Sequence, residues 1–185
     1  MISLEVKNLA KSFGFRIVFE GVNFSLKEEE SLVITGKNGS GKSTLLKILA
    51  GLLRPSKGEI NINLNGQNKK KTERRKLLGF VAPDLSLYDE LTALENLEFL
   101  SKVQGLEWRK KELIKNLEKI GLKGRGEDLV SSYSSGMKQR LKYLFALLNE
   151  PKILLLDEPG SNLDEPGLFL LDDIIAEQRK RGILV

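Results

Sequence analysis

The 185-residue chain contains no cysteine and no histidine. The first absence excludes disulfides, thiol nucleophiles and thiolate metal sites; the second excludes imidazole bases, imidazole ligands and histidine pH switches. Long apolar runs are also missing. Nothing approaches the roughly 18 residues of a membrane span, so a membrane role has to come through a partner. Glu5 and Lys7 interrupt the few apolar residues at the start, so that stretch does not read as a signal peptide. A large excess of one charge is also missing: 30 Lys and Arg against 25 Asp and Glu leave a net +5. That excess is spread out and does not by itself argue for nucleic acid. There is no internal repeat and no low-complexity tract. What remains is a chain that is 41% apolar, enough for a core, and of a length that suits one domain with room for an inserted subdomain.

One stretch organises the rest: Gly36-Lys37-Asn38-Gly39-Ser40-Gly41-Lys42-Ser43-Thr44. A glycine, four residues and then Gly-Lys-Ser is the spacing of a phosphate-binding loop. It follows Leu32-Val33-Ile34, which reads as a buried strand, and leads into Leu45-Leu46-Lys47-Ile48-Leu49-Ala50, which reads as a helix. Glycines let consecutive backbone N–H groups point at phosphate oxygens, and the helix brings its positive end to the same anion. Lys42 is placed to reach the β- and γ-phosphates, and the Ser43 hydroxyl to coordinate Mg²⁺. The motif predicts a nucleoside triphosphate and leaves open what the energy drives.

Residues 2–7 alternate apolar and polar as a half-buried strand, and Lys11-Ser12-Phe13-Gly14 reads as a turn. Phe13 is either an aromatic that stacks on a base or an ordinary core residue. Val22–Leu26 alternates again, and Glu28-Glu29-Glu30 reads as a solvated turn. The helix from Lys42 carries apolar residues at Leu45, Leu46, Ile48, Leu49 and Leu52 and is expected to end near Arg54-Pro55. Glu59–Leu64 is a strand turning at Asn65-Gly66, and Leu78–Val81 another, broken by Pro83-Asp84. Between them lies a basic run, Lys69, Lys70, Lys71, Arg74, Arg75 and Lys76, readable as a solvated face or as a contact for phospholipid head groups or nucleic acid. From about residue 84 the spacing becomes helical, at Leu91, Leu94, Leu97 and Leu100 and again at Ile114, Leu117 and Ile120. Ser131–Gly136 is a polar loop before a helix with Leu141, Leu144, Phe145 and Leu148 on one face; it reads as an N-cap or as a second anion site. Ile153–Leu156 is continuously apolar, as in a sheet covered on both faces, and ends in Asp157-Glu158, where α/β sheets bind ligands. Asp157 can hold Mg²⁺ through water and Glu158 can address a water. Residues 168–181 form an amphipathic helix stopped by Gly182, and Ile183-Leu184-Val185 begins another strand.

Together these pieces resemble the nucleotide-binding subunit of ATP-binding cassette (ABC) proteins, across nearly the whole chain and in family order. Gly36–Thr44 resembles Walker A, and Leu154–Pro159 resembles Walker B with its catalytic glutamate. Tyr133-Ser134-Ser135-Gly136-Met137-Lys138-Gln139-Arg140 resembles the family signature, usually Leu-Ser-Gly-Gly-Gln, and Ser161-Asn162-Leu163-Asp164 resembles the D-loop. Phe13 falls where the family has an adenine-stacking aromatic. Glu90–Leu97 resembles the start of the helical subdomain of transporter-type members, and with the Tyr-Ser-Ser-Gly signature is similar to heme-exporter-like and related export ATPases.

The resemblance implies an α/β P-loop NTPase (RecA-like) fold. Its mostly parallel sheet core, with a β-rich N-terminal part, would span residues 1–83 and 151–185, and an inserted helical subdomain carrying the signature would span 84–150; the chain would end before the final strands. It implies an ATPase subunit that powers a membrane ABC transporter, with ATP and Mg²⁺ as cofactors. Glu158 and Lys42 would be catalytic. Phe13 and Gly36, Lys37, Asn38, Gly39, Ser40, Gly41, Lys42, Ser43 and Thr44 would bind nucleotide, and Ser43 and Asp157 would hold the metal. Ser134, Ser135, Gly136 and Met137 would address the ATP of a second cassette, and Asp164 would belong to the D-loop. Expected partners are that second cassette, identical or different, and transmembrane permease subunits, with no nucleic acid. The expected location is cytoplasmic, peripheral at the inner face of the cell membrane.

Three departures set further expectations. The signature has Ser135 for its first glycine, with Tyr133 and Met137 beside it. Pro83 stands where the family has its Q-loop glutamine, leaving Asp84 as the neighbouring substitute. The switch histidine, expected just after the strand at Ile183, is not reached, so these residues alone are expected to turn over slowly. Rival readings are a soluble ABC-type ATPase acting on DNA or ribosomes, a P-loop kinase of a small metabolite, and a catalytically impaired cassette serving as a nucleotide-dependent scaffold.

Overall fold

The structure, a computed structural model, describes residues 1–183, which divide into two compact units. The first comprises residues 1–80, 151–157 and those from 175 onward; the second comprises 81–150 and 158–174. Among the described residues no helix is long and apolar enough to cross a membrane.

The first unit is built on a four-stranded antiparallel sheet in the order β2-β1-β3-β4. Its strands are β1 (Ile2–Phe13), β2 (Arg16–Lys27), β3 (Lys57–Leu64) and β4 (Gln67–Asn68). Register places Ile2 opposite Leu64, Leu4 opposite Ile62 and Val6 opposite Ile60, so one face of the sheet is apolar. Helix α1 (Lys42–Leu49) belongs to the same core, burying Leu45, Leu46, Ile48 and Leu49 with Ile2, Leu4, Val6, Leu9 and Ile62. The β1–β3 register shifts between Lys7 and Ala10, where Asn8 has φ 46°. A Cβ on Gly58 would lie 2.3 Å from the Asn8 carbonyl, so only glycine lets the two backbones come this close. Asn65 and Gly66, at φ 53° and 78°, make the expected tight turn after β3.

Several local expectations are corrected. Lys11, Ser12 and Phe13 are not a turn: they pair with Phe19, Ile17 and Arg16, and the turn is confined to Gly14 and Phe15. Helix α1 stops before Arg54-Pro55, because Gly51 takes the left-handed conformation at φ 72°; Leu52 is consequently 65% exposed. Leu32-Val33-Ile34 does not form a strand among the described residues; Ile34 packs against the core, but Val33 is exposed. An apolar run becomes a strand only where a neighbour completes its ladder, and none pairs with this one among the described residues.

Strand β5 (Leu78–Val81) pairs with β6 (Ile153–Leu156), and Ile153, Leu154 and Leu155 are buried as expected. The basic run forms a short helix α2 (Lys71–Arg74) and a 3₁₀ turn (Arg75–Leu77). In it Arg74 is structural, donating from Nη1 to the Ile60 carbonyl at 2.6 Å and from Nε to the Lys69 carbonyl at 2.8 Å.

The second unit is helical. Helices α3 (Ala93–Val103), α4 (Lys110–Lys119) and α5 (Ser135–Leu147) bury Leu94, Leu97, Leu113, Leu117, Leu141 and Leu144. Helix α3 starts at a capping box: Thr92 Oγ1 accepts the Glu95 N–H, and Glu95 accepts the Thr92 N–H at 2.8 Å. Asn96, fully buried, accepts the Tyr88 N–H and donates to the Tyr88 and Thr92 carbonyls, each at 2.9 Å. Helix α6 (Glu165–Lys180) ends before Gly182, at φ 75°. Of the strand predicted from Ile183, only Ile183 is described, and it is buried; Leu184 and Val185 lie outside the described residues.

Candidate functional site

The phosphate loop takes a backbone path that its glycines make accessible. Gly36, Gly39 and Gly41 have φ of 153°, 79° and 96°. At Gly41 a Cβ would meet Val18 Cγ1 at 2.6 Å, so the loop lies directly on β2. Lys42 Nζ donates to the carbonyls of Gly36 at 2.9 Å and Lys37 at 3.1 Å, folding its ammonium over the loop. The loop's other members are Asn38, Ser40, whose N–H donates to the Lys37 carbonyl at 3.1 Å, and Thr44 in the first turn of α1. That turn has no side-chain cap and no acidic residue, so its N–H groups and positive dipole end are left for an anion.

Two further groups belong to this unit. Ser43 Oγ donates to Asp157 Oδ1 at 3.1 Å, joining the start of α1 to the end of β6, and Asp157 is only 4% exposed. A hydroxyl and a buried carboxylate in contact are hard oxygen donors of the kind that Mg²⁺ takes alongside phosphate oxygens and water, so these residues fit that ion. Phe13 is 53% exposed at the end of β1, with Lys11 Nζ 4.6 Å above its ring. It is not a core aromatic. Because Phe13 pairs with Arg16 and Lys11 with Phe19, its ring belongs to the same end of the β1–β2 ribbon on which the loop rests.

The second unit gathers the signature and the residues after β6. Glu158 is exposed and has φ 48°, a left-handed conformation disfavoured for any residue with a side chain. Ser161 Oγ donates to its Oε2 at 3.4 Å. The next carbonyl, of Pro159, accepts from the Tyr143 hydroxyl and from Gln139 Nε2 at 3.3 Å. Burial pushes the Tyr143 phenol above its ordinary pKa, with the Gln139 hydrogen bond opposing, so the hydroxyl stays a donor at neutral pH.

Ser134 caps α5, its Oγ accepting the Met137 N–H at 3.2 Å, and Ser135 is the first helical residue. A Cβ on Gly136 would lie 3.2 Å from the Asn162 carbonyl, so the signature touches the Ser161–Asp164 turn. Asp164 Oδ1 accepts from Arg140 Nη2 and from the Gly167 N–H, both at 3.0 Å, tying that turn to α5 and to the first turn of α6. Tyr133 is buried and donates to the Arg125 carbonyl at 2.6 Å; desolvation pushes its pKa up to about 12. Pro83 offers its carbonyl to Lys142 Nζ at 2.9 Å. Burial lowers the Lys142 pKa, against the pull of Asp84.

The fold thus brings Lys42, Ser43 and Asp157 together in one unit, and Ser134, Gly136, Glu158 and Asp164 into one region of the other. The sequence pattern placed Gln139 in the signature stretch without a role of its own and left Tyr143 out. Their signal was present: two polar side chains four apart on a helix whose buried positions are otherwise mostly apolar.

The profile of a family described as "ABC transporter" matches residues 19–161. The Linearmycin resistance ATP-binding protein LnrL of Bacillus subtilis (strain 168) is 33% identical over 184 residues, 98% of this chain and 59% of the relative. The Lantibiotic transport ATP-binding protein SrtF of Streptococcus pyogenes is 34% identical over 182 residues, 98% of this chain and 77% of the relative. The chain therefore spans well under two thirds of LnrL. A solved structure titled as the ATP binding subunit of an ABC transporter superposes with TM-score 0.82 and 32% identity, covering 98% of this chain and 77% of the other. A dimeric ATP-binding cassette in a post-hydrolysis state, bound to ADP and Pi, superposes with TM-score 0.84 and 28% identity, covering 98% of this chain and 85% of the other.

Proposed function

This chain belongs to the ABC transporter family, and from that premise we propose that it binds and hydrolyses ATP to drive transport by membrane subunits. The observation that carries the reading is the 3.1 Å bond from Ser43 to Asp157, which joins the phosphate loop to the strand-end carboxylate. In this reading the loop N–H groups and Lys42 hold the β- and γ-phosphates, and Phe13 stacks on the adenine. Ser43 and Asp157 would hold Mg²⁺, which would supply positive charge to the phosphate oxygens. Glu158 orients a water and takes its proton. The water oxygen attacks the γ-phosphorus as the bond to the β,γ-bridging oxygen breaks, and that electron pair leaves with ADP. Lys42 balances the charge that develops.

Residues 1–83 and 151–185 are the nucleotide-binding core in this account, and 84–150 the helical subdomain. Two cassettes sandwich each ATP, with Ser134, Ser135, Gly136 and Met137 of one facing the phosphates held by the other. The subunit sits at the cytoplasmic face of the membrane through its permease partners. The names of LnrL and SrtF support a transporter that handles antibiotic-type compounds. Pro83 favours a second reading, a slow or inactive cassette that signals by binding alone, since proline offers no side-chain ligand for water or metal.

Calorimetry with Mg-ATP tests the assignment. Lys42→Ala should weaken binding by more than about tenfold, about 1.4 kcal/mol or more. Equal affinity for both proteins would remove the phosphate-loop reading.

A further inference from the structure

We infer that Gln139 and Tyr143 are positioning residues for Glu158, clamping the Pro159 carbonyl so that the glutamate is held in its left-handed setting. The inference rests on the reading of Glu158 as the group that takes the proton from water. Glu158 has φ 48°, a conformation that a non-glycine residue keeps only when its surroundings over-determine it. The over-determination is visible one residue on. The Glu158 carbonyl accepts the Ser161 N–H at 3.0 Å; the Pro159 ring fixes its own φ and removes its N–H, so Pro159 itself can be held by hydrogen bonds only through its carbonyl. That carbonyl receives two donors, the Tyr143 hydroxyl and Gln139 Nε2, the latter at 3.3 Å. Gln139 Nε2 also lies 3.4 Å from the Tyr143 oxygen, so the two donors form one unit.

Packing alone does not account for the pair. Gln139 is 6% exposed and Tyr143 1% exposed, on a helix whose other buried residues, Leu141, Leu144, Phe145 and Ala146, are apolar. A buried amide and a buried hydroxyl are disfavoured there unless their hydrogen bonds are used. They converge on a carbonyl adjacent to the proposed base. The same helix opens at Ser134, Ser135 and Gly136, so the clamp ties the setting of Glu158 to the segment that carries the signature.

The test uses Tyr143→Phe and Gln139→Leu, singly and together, with Glu158→Gln as reference, in single-turnover hydrolysis of Mg-ATP by the intact subunit. The double variant should lose about tenfold or more in rate, since a small misplacement of a catalytic group costs that much, while KM for ATP and the melting temperature of Tyr143→Phe stay close to the parent. Combined with Glu158→Gln, neither variant should slow the residual rate further, because both act through that carboxylate. Tyr143→Phe deletes one oxygen and keeps the ring, so it carries the test if the double variant does not fold. Parent rates in both folded variants beside an inactive Glu158→Gln would overturn the clamp and leave the base in place. Rate losses that add to that of Glu158→Gln, accompanied by a lowered melting temperature, would reduce the pair to packing. An active Glu158→Gln would remove the base reading and the clamp with it.

Discussion

Phe13 ends β1 with the Lys11 ammonium 4.6 Å above its ring. By its position it is either a stacking aromatic or a core residue. The structure leaves it 53% exposed under a lysine, which removes the second option. Phe13→Ala should therefore weaken ATP binding by about 1–3 kcal/mol, the worth of one base–aromatic stack. The melting temperature without nucleotide should hardly move, whereas truncating a core phenylalanine costs ~3–5 kcal/mol. Nucleotide titration beside a thermal melt separates the two; a large fall in melting temperature with intact affinity would assign Phe13 to packing. Tyr133 was legible only as a departure from the usual leucine. Its use depends on a carbonyl eight residues away that a linear pattern does not reveal, that of Arg125.

Among the elements, legibility followed how local the cause is. Strand β6 and the Asn65-Gly66 turn are set by their own residues and lie where their patterns put them, whereas helix α5, expected over Lys138–Asn149, runs from Ser135 to Leu147 because Ser134 caps it inside the stretch read as a loop. The extension of β1 through Lys11–Phe13, the early end of α1 at Gly51 and the missing strand at Leu32–Ile34 depend on partners or on a left-handed glycine, and the pattern alone missed them. Helix α3 is governed at its N-terminus by Thr92 and Asn96. Asn96→Leu should destabilise the helical unit by about 2 kcal/mol or more, because it strips buried partners at Tyr88 and Thr92; denaturant unfolding reads this directly. Hydrogen bonds from the Thr92 backbone and then its side chain hold the Glu95 carboxyl below its ordinary pKa. A depressed carboxylate pKa stabilises the fold above the unfolded value and loses that contribution as pH falls through the folded one. Melting temperature measured from neutral pH into the acid range should accordingly fall less steeply for Glu95→Gln than for the parent, by a small margin since the group is exposed.

For the molecule as a whole, the proposed sandwich makes association depend on nucleotide. Glu158→Gln should keep ATP affinity and accumulate an ATP-bound dimer, because closure precedes cleavage; light scattering with and without Mg-ATP reports it, and a monomer under both conditions would remove the sandwich. Glu158 also bears on stability. Its backbone sits where a glycine would rest without strain, a difference of about 1 kcal/mol. Glu158→Gly should raise the melting temperature by a few degrees while ending turnover. Breeding this protein for heat tolerance alone would thus steer position 158 towards a sturdier chain that no longer works.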